Sequence, residues 1–152
     1  MTDRNPRVGK IMDEQTIASA LDSADTGVLS LGSNHRGYGF PVSYAYDEAN
    51  GRIIFGFTAS PESRKQEFAR DTEEATLTVY TYEDVDAWTS VIARGSIHLL
   101  EADSDTRQVP NLFFESERDE TPGTDEMTHL DTFGRQWYEL DIGSLSGRHS
   151  GQ

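Results

Sequence analysis

The segment TASPESRKQEF, Thr58 to Phe68, sets Arg64 beside Lys65 in a chain with 27 acidic and 13 basic residues. Ser60 followed by Pro61 has the order of an N-cap and a first helical residue. The two cations are therefore expected near the positive end of a helix, where the macrodipole disfavours them. A bound anion resolves that conflict. Backbone N–H groups at Ser60 to Ser63, the hydroxyls of Thr58, Ser60 and Ser63, and the Arg64 and Lys65 charges together describe a phosphate site. The same charges suit ion pairs at i to i+3 spacing, Arg64 with Glu67 and Lys65 with Glu62. These residues alone leave both readings open.

Two further features could line a ligand site. Pro41 in FPVSY has no N–H to give a sheet ladder, so it marks an edge strand or an interrupted pairing, with nearby backbone groups turned to something other than a strand. In WTSV, Trp88 and Ser90 are two residues apart and share a strand face, which suits a planar ligand; a tryptophan there equally suits a core or an interface.

Other chemistries lack their residues. The chain has no cysteine, which excludes disulfides, thiolate nucleophiles and cysteine-ligated metals. His35, His98, His129 and His149 are scattered, without an HExxH pair or another metal spacing. Asp84-Val85-Asp86 and Asp103-Ser104-Asp105 begin like calcium loops but lack the glycine at the sixth position and the glutamate at the twelfth. No GxSxG elbow is present, and GYGF (37–40) carries two of the three glycines of a dinucleotide fingerprint. What is left points to a borrowed cofactor.

The elements that must position these residues read as mainly β. Ile17, Ala20, Leu21 and Ala24 recur at helical spacing between Met12 and Ala24, with Asp13 or a neighbour at the start. Alternating strands are expected at 27–33, 39–46, 52–58, 75–83, 88–101 and 135–142, with Asn50-Gly51 as a hairpin turn. A helix is expected from Ser60 to about Asp71, and a helical piece around Thr106 to Ser116 before a polar linker. Gly95 in the longest strand suits a bend at a barrel corner. Helices do not alternate with strands, so an antiparallel barrel with peripheral helices fits better than a doubly wound sheet. One domain is expected over 1–152, with its core at about 13–142 and a polar tail at 143–152.

The formal charge of −14 and the lack of a basic stripe argue against nucleic acid and against anionic membrane surfaces. Only Lys10 and Lys65 are lysines. Acid in excess with lysine nearly absent suggests a halophile, in whose salty cytoplasm cations screen self-repulsion. The polar start and the lack of an apolar run near ~20 residues give no signal peptide or membrane helix, so a soluble cytoplasmic protein is expected.

The order of GVLSL, GFPVSYAYD, IIFGFTAS leading into SRK, LTVY and WTSVIARG resembles the pyridoxamine 5'-phosphate oxidase-like FMN-binding split-barrel family, particularly its nitroimidazole-resistance-protein-like branch. The likeness runs from about Thr26 to Gly95, with an echo in IGSLSGR at the end. It implies a six-stranded antiparallel split β-barrel that forms a homodimer, with one FMN in each of two clefts at the subunit interface. It implies that Arg64 and Lys65 take the phosphate, helped by Thr58 and Ser60. The flavin ring would lie against Pro41, Val42, Ser43 and Tyr44, largely through their backbone, and Trp88 to Ser90 of the partner would close the site. Two positions depart from the branch: Phe57 stands where it commonly has a histidine, and Ser63 replaces its usual glycine.

The expectation is then an FMN-dependent oxidoreductase that transfers hydride or electrons, with a small-molecule substrate and a reduced nicotinamide as a plausible donor. Phe57 motivates a second reading, a flavin-binding storage or sensor module without turnover. The resemblance also admits the same fold with a deazaflavin or haem, and the ion-pair reading admits a barrel without a cofactor.

Overall fold

The computed structural model describes residues 9–58, 63–100 and 135–151. Its elements in chain order are β1 (Lys10–Ile11), α1 (Glu14–Ser23), β2 (Thr26–Ser33), β3 (Arg36–Asp47), β4 (Arg52–Thr58), α2 (Arg64–Asp71), β5 (Ala75–Asp84), β6 (Ala87–Leu99) and β7 (Arg135–His149), with a single 3-10 turn at Glu48–Asn50 between β3 and β4. The helical piece and linker expected between 101 and 134 lie outside the described residues.

The strands pair in the order β1-β7-β4-β3-β2-β5-β6, and β6 pairs again with β7. β2 to β7 therefore close into an antiparallel ring, and the architecture is the expected mainly β split barrel. The described strands number seven rather than six. The extra one, β1, adds Lys10 and Ile11 beside His149 and Arg148 of β7, and two residues carry no alternation from which a strand could be read.

Period-2 alternation puts Leu29, Phe40, Tyr44, Phe55, Leu77 and Leu140 into one core inside the ring. α1 closes one end. The Asp13 carboxylate caps it by accepting from the Thr16 N–H at 2.8 Å, and Ile17 and Leu21, one turn apart, are buried. A helix of 10 residues is marginal alone, so burial of those two side chains, at roughly 1.5–3 kcal/mol each, holds it in place.

The residues expected as a polar tail instead extend β7, which runs to His149 along β6. SLSGRH hides its strand character because its one buried position is Gly147. A Cβ there would lie 2.5 Å from Met12 Sδ and 3.1 Å from Ile17 Cγ1, so the strand must be bare where α1 sits on it. The bend expected at Gly95 is present as a register shift between Arg94 and Gly95 against β7. A Cβ on Gly95 would lie 1.8 Å from the Asp141 carbonyl oxygen, which only backbone movement relieves.

The β3–β4 hairpin is fastened at its turn. Gly51 supplies the left-handed φ of 62° that ends the 3-10 turn. The Asp47 carboxylate, buried to 7% exposure, accepts from Arg52 Nε at 2.9 Å and Asn50 Nδ2 at 2.9 Å, while Arg52 Nη1 reaches Glu139 of β7 at 3.1 Å. Burial pushes the Asp47 carboxyl up, but the hydrogen bonds from Asn50 and Arg52, with the Arg52 charge, outweigh it and hold the group below the usual carboxylate range.

Two outcomes follow. Gly95→Ala lowers unfolding stability by about 3 kcal/mol, whereas Gly143→Ala, whose Cβ would meet its nearest neighbour at 3.6 Å, changes it by less than about 1 kcal/mol; denaturant titration of both checks the bend. Asp47 has a depressed folded pKa, so its stabilisation is complete above the unfolded carboxylate value and is lost as pH falls through the folded one. Asp47→Asn therefore costs roughly 1–3 kcal/mol at neutral pH and makes the acid limb of the stability profile, below the ordinary carboxylate range, shallower than in the parent.

Candidate functional site

α2 starts later than its sequence suggests. Ser63, not Ser60, is the N-cap, and its hydroxyl accepts from the Gln66 N–H at 3.2 Å. Both serines have cap chemistry, and Ser63 takes the role by bonding the third helical residue. Arg64 and Lys65 are thus the first and second residues of the helix, closer to its positive end than expected. Ser60 and the Thr58 side chain lie outside the described residues. Arg64 is exposed, and the described ion pairs are those of Arg52, so the expected pairing of Arg64 with Glu67 does not form. Glu62, the other expected partner, lies outside the described residues.

Lys65 folds back over the barrel mouth, its Nζ 4.8 Å from the centre of the Phe40 ring. A cation–π contact of this kind is worth about 0.5–1 kcal/mol at an exposed site, and here it ties the charge to β3 one residue before Pro41. One turn further along the same face, Phe68 and Ala69 are buried, and Phe68 meets Tyr38 of β3 at 5.4 Å between ring centres.

β3 is paired unequally along its length. β2 accompanies it from Arg36 to Ser43, but β4 pairs only with Tyr44 to Asp47, the last pair being Tyr44 with Phe55. Beyond that pair the wall splits. The Tyr44 N–H donates to the Asp25 carbonyl on the β2 side at 2.9 Å. Alternation then turns the Pro41 nitrogen and the Ser43 N–H the other way, towards the split. Proline is tolerated at 41 because its missing donor falls there, which explains the FPVSY signal.

The side chains on this stretch separate into two sets. Pro41 is exposed and Ser43 half-buried on the outside, while Val42 and Tyr44 point into the core. The Tyr44 hydroxyl donates to the Leu21 carbonyl at 2.6 Å, and burial, with the nearby Asp25 and Asp22 charges, raises its pKa. Any contact of Val42 or Tyr44 with a ligand outside the barrel is thus through the backbone. Across the split Phe40 and Phe57 meet edge to face at 5.4 Å, and Phe57 stacks on Tyr138 at 4.8 Å. Position 57 is consequently a core position, 5% exposed, and aromatic packing holds the two walls together where the ladder has ended.

Trp88 and Ser90 lie elsewhere. They project from β6, opposite Tyr82 and Tyr80 of β5, and β6 is three strands from β3 in either direction around the ring. The Trp88 N–H donates to Ser150 Oγ at 3.3 Å, and the Ser150 N–H donates to the Trp88 carbonyl at 3.1 Å. One chain therefore brings Lys65 over Phe40 beside the exposed Pro41, with Arg64 next to it at the start of α2, and leaves Trp88 and Ser90 on the opposite wall. Two contributors were not foreseen: Ser63 as cap, and Phe40 as the seat of Lys65. The inward parity of Phe40 is visible in FPVSY, whereas a contact between residues 40 and 65 depends on where α2 docks.

Comparison with known proteins gives a consistent family. The family model described as pyridoxamine 5'-phosphate oxidase matches residues 13–149. A FAD-binding protein from Mesorhizobium loti has a TM-score of 0.72 at 17% identity, covering 92% of this chain and 96% of its own. A Bacteroides thetaiotaomicron protein described by 5-nitroimidazole antibiotic resistance has a TM-score of 0.66 at 15% identity, covering 92% and 86%. A FAD and haem binding protein from Mycobacterium smegmatis has a TM-score of 0.66 at 13% identity, covering 92% and 72%. At these identities the likeness is one of fold. No curated protein matches the chain. Among the described residues no helix is long and apolar enough to cross a membrane.

Proposed function

The chain belongs to the pyridoxamine 5'-phosphate oxidase family, and on that footing we propose that it is a flavoprotein, binding FMN between two copies of itself and passing hydride or electrons through it. The observation that carries this reading is the placement of Arg64 and Lys65 as the first two residues of α2, with Lys65 held over Phe40 beside the open edge of β3. FMN ends in a phosphate monoester, and a dianion matches two cations and the N–H groups of a helix start. The Ser43 N–H turned to the split is a donor of the kind that the polar edge of a flavin ring accepts.

The need for two copies rests on the ring order. Trp88 and Ser90, the other expected site residues, face out from the far wall of the same chain, so a second copy is the economical way to bring them to the phosphate side. Flavin, when bound, supplies the hydride and one-electron chemistry. The chain then needs to hold, orient and dry the group, which agrees with the lack of an evident acid, base or nucleophile. A reduced nicotinamide is the donor this reading favours, with a small molecule as acceptor. The acidic surface is that of a cytoplasmic protein from a salt-rich cell.

A second reading, flavin binding without turnover, draws on Phe57. The place where the nitroimidazole-resistance branch commonly has a histidine is here part of an aromatic stack inside the barrel, closed to an external substrate. Failure of reduced nicotinamides to bleach the bound flavin across several acceptors would favour it.

Protein purified in high salt is expected to be yellow and to release FMN on denaturation; release of a deazaflavin or haem would redirect the assignment, and a colourless protein that ignores added FMN would end it. Arg64→Ala with Lys65→Ala removes two charge-assisted phosphate contacts and weakens FMN binding by about a hundredfold or more, as read by quenching of flavin fluorescence. Unchanged affinity would show that the phosphate sits elsewhere.

A further inference from the structure

Among the described residues, one buried side-chain polar atom has no hydrogen-bond partner, the Gln66 carbonyl oxygen Oε1. Protein interiors rarely leave such an atom alone, because it has lost water without compensation. Gln66 is the third residue of α2 and follows Lys65 directly. Its backbone N–H is held by the Ser63 hydroxyl at 3.2 Å. The helix start is therefore complete around Gln66, and only its side chain lacks a partner.

Helix geometry says which way that side chain goes. At 3.6 residues per turn, adjacent helical residues point roughly 100° apart. Lys65 points to β3, with its Nζ over the Phe40 ring. Gln66 instead shares a flank with Arg70, one turn further on. Burial raises the pKa of the Tyr138 hydroxyl, and the nearby Arg70 charge offsets part of that rise, so this flank looks towards Tyr138 of β7. Tyr138 stacks on Phe57, and Phe57 faces Phe40 across the split. The first turn of α2 thus straddles the split, with a cation towards the β3 wall and an unpartnered amide oxygen towards the β4 and β7 wall. The Tyr138 hydroxyl does not serve that oxygen, since it donates to Gln136 Oε1 at 3.1 Å.

On the footing of the flavin seat proposed above, we propose that Gln66 holds the ribityl chain, its Oε1 accepting a hydrogen bond from one of the chain's hydroxyls. The ribityl chain joins phosphate to ring, so a phosphate at Arg64 and Lys65 sends it out beside the next residue of the helix. A phosphate dianion only accepts hydrogen bonds and cannot partner a carbonyl oxygen. A hydroxyl donates and accepts, so it suits an amide from either end. An oxygen left unpartnered in the free chain weakens the fold there and strengthens the complex once a hydroxyl reaches it, an exchange of stability for binding that functional sites show.

FMN, riboflavin and lumiflavin share one ring; riboflavin lacks the phosphate, and lumiflavin lacks the whole ribityl chain. Each is titrated into the full chain in high salt and followed by quenching of flavin fluorescence. Gln66→Leu is expected to weaken FMN and riboflavin alike, by roughly tenfold, and to leave lumiflavin unchanged. The thermal unfolding midpoint without added flavin is expected to stay level or rise in Gln66→Leu and in Gln66→Met, because each removes the unpartnered oxygen. That measurement also shows that both variants fold. An equal effect on lumiflavin would put the amide on the ring and overturn the proposal. Unchanged affinity for FMN and riboflavin, the mark of an oxygen served by water, would do the same, as would a lowered midpoint, the mark of a purely structural side chain. Those results leave the flavin reading standing, with FMN still bound more tightly than riboflavin through Arg64 and Lys65. Absence of binding by all three flavins would overturn both.

Discussion

The architecture depends on one strand having two kinds of neighbour. From Tyr44 to Asp47, β3 is laddered to β4, and the Asp47, Arg52 and Glu139 side chains fix that end to β7. From Phe40 to Ser43 it keeps β2 alone. A backbone edge left without a strand is costly if nothing satisfies it, so the opening is confined to a stretch in which Pro41 has no donor to lose. The walls stay together there through rings, Phe40 against Phe57 and Phe57 on Tyr138. That substitution of aromatic packing for hydrogen bonds makes a slot in the wall without loosening the core.

The placement of α2 follows from the same split. β4 ends at Thr58 still bonded to β7, and the chain then crosses to Ser63, which caps a helix lying near the open edge. Phe68 and Ala69 anchor it below, and Lys65 spans from its first turn to the Phe40 ring. Two cations at a helix start are electrostatically unfavourable alone. The contact with Phe40 relieves part of that for Lys65, and Arg64 has no described carboxylate beside it. An anionic ligand would relieve the remainder, which is why the flavin phosphate belongs there in the proposed account.

Much of this was legible in residue patterns. Alternation gave β2 to β6 to within a few residues, Asn50-Gly51 marked its turn, and Gly95 marked the bend, because each of these is governed by local backbone geometry or by which face is buried. The end of β7 was obscured, since its inward positions include Gly147, which is bare to admit Met12 and Ile17 from another element. The cap of α2 was misplaced from Ser63 to Ser60 because two serines three residues apart carry the same local signal. Phe57 could be recognised as a departure from the branch, yet its role needed the barrel: only the closed ring shows it stacked on Tyr138. The separation of Trp88 and Ser90 from Lys65 is likewise a property of strand order, which no local motif encodes.

That separation shapes the functional account most strongly. A single chain offers the phosphate side at β3 and α2 and the aromatic side at β6, with the barrel between them, so the proposed flavin seat is a property of a pair. Sedimentation velocity of the protein in high salt, followed at the visible flavin absorption band, tests this directly. The account predicts that the yellow boundary moves at the mass of two chains, with one FMN per chain; flavin moving with a single chain would contradict it.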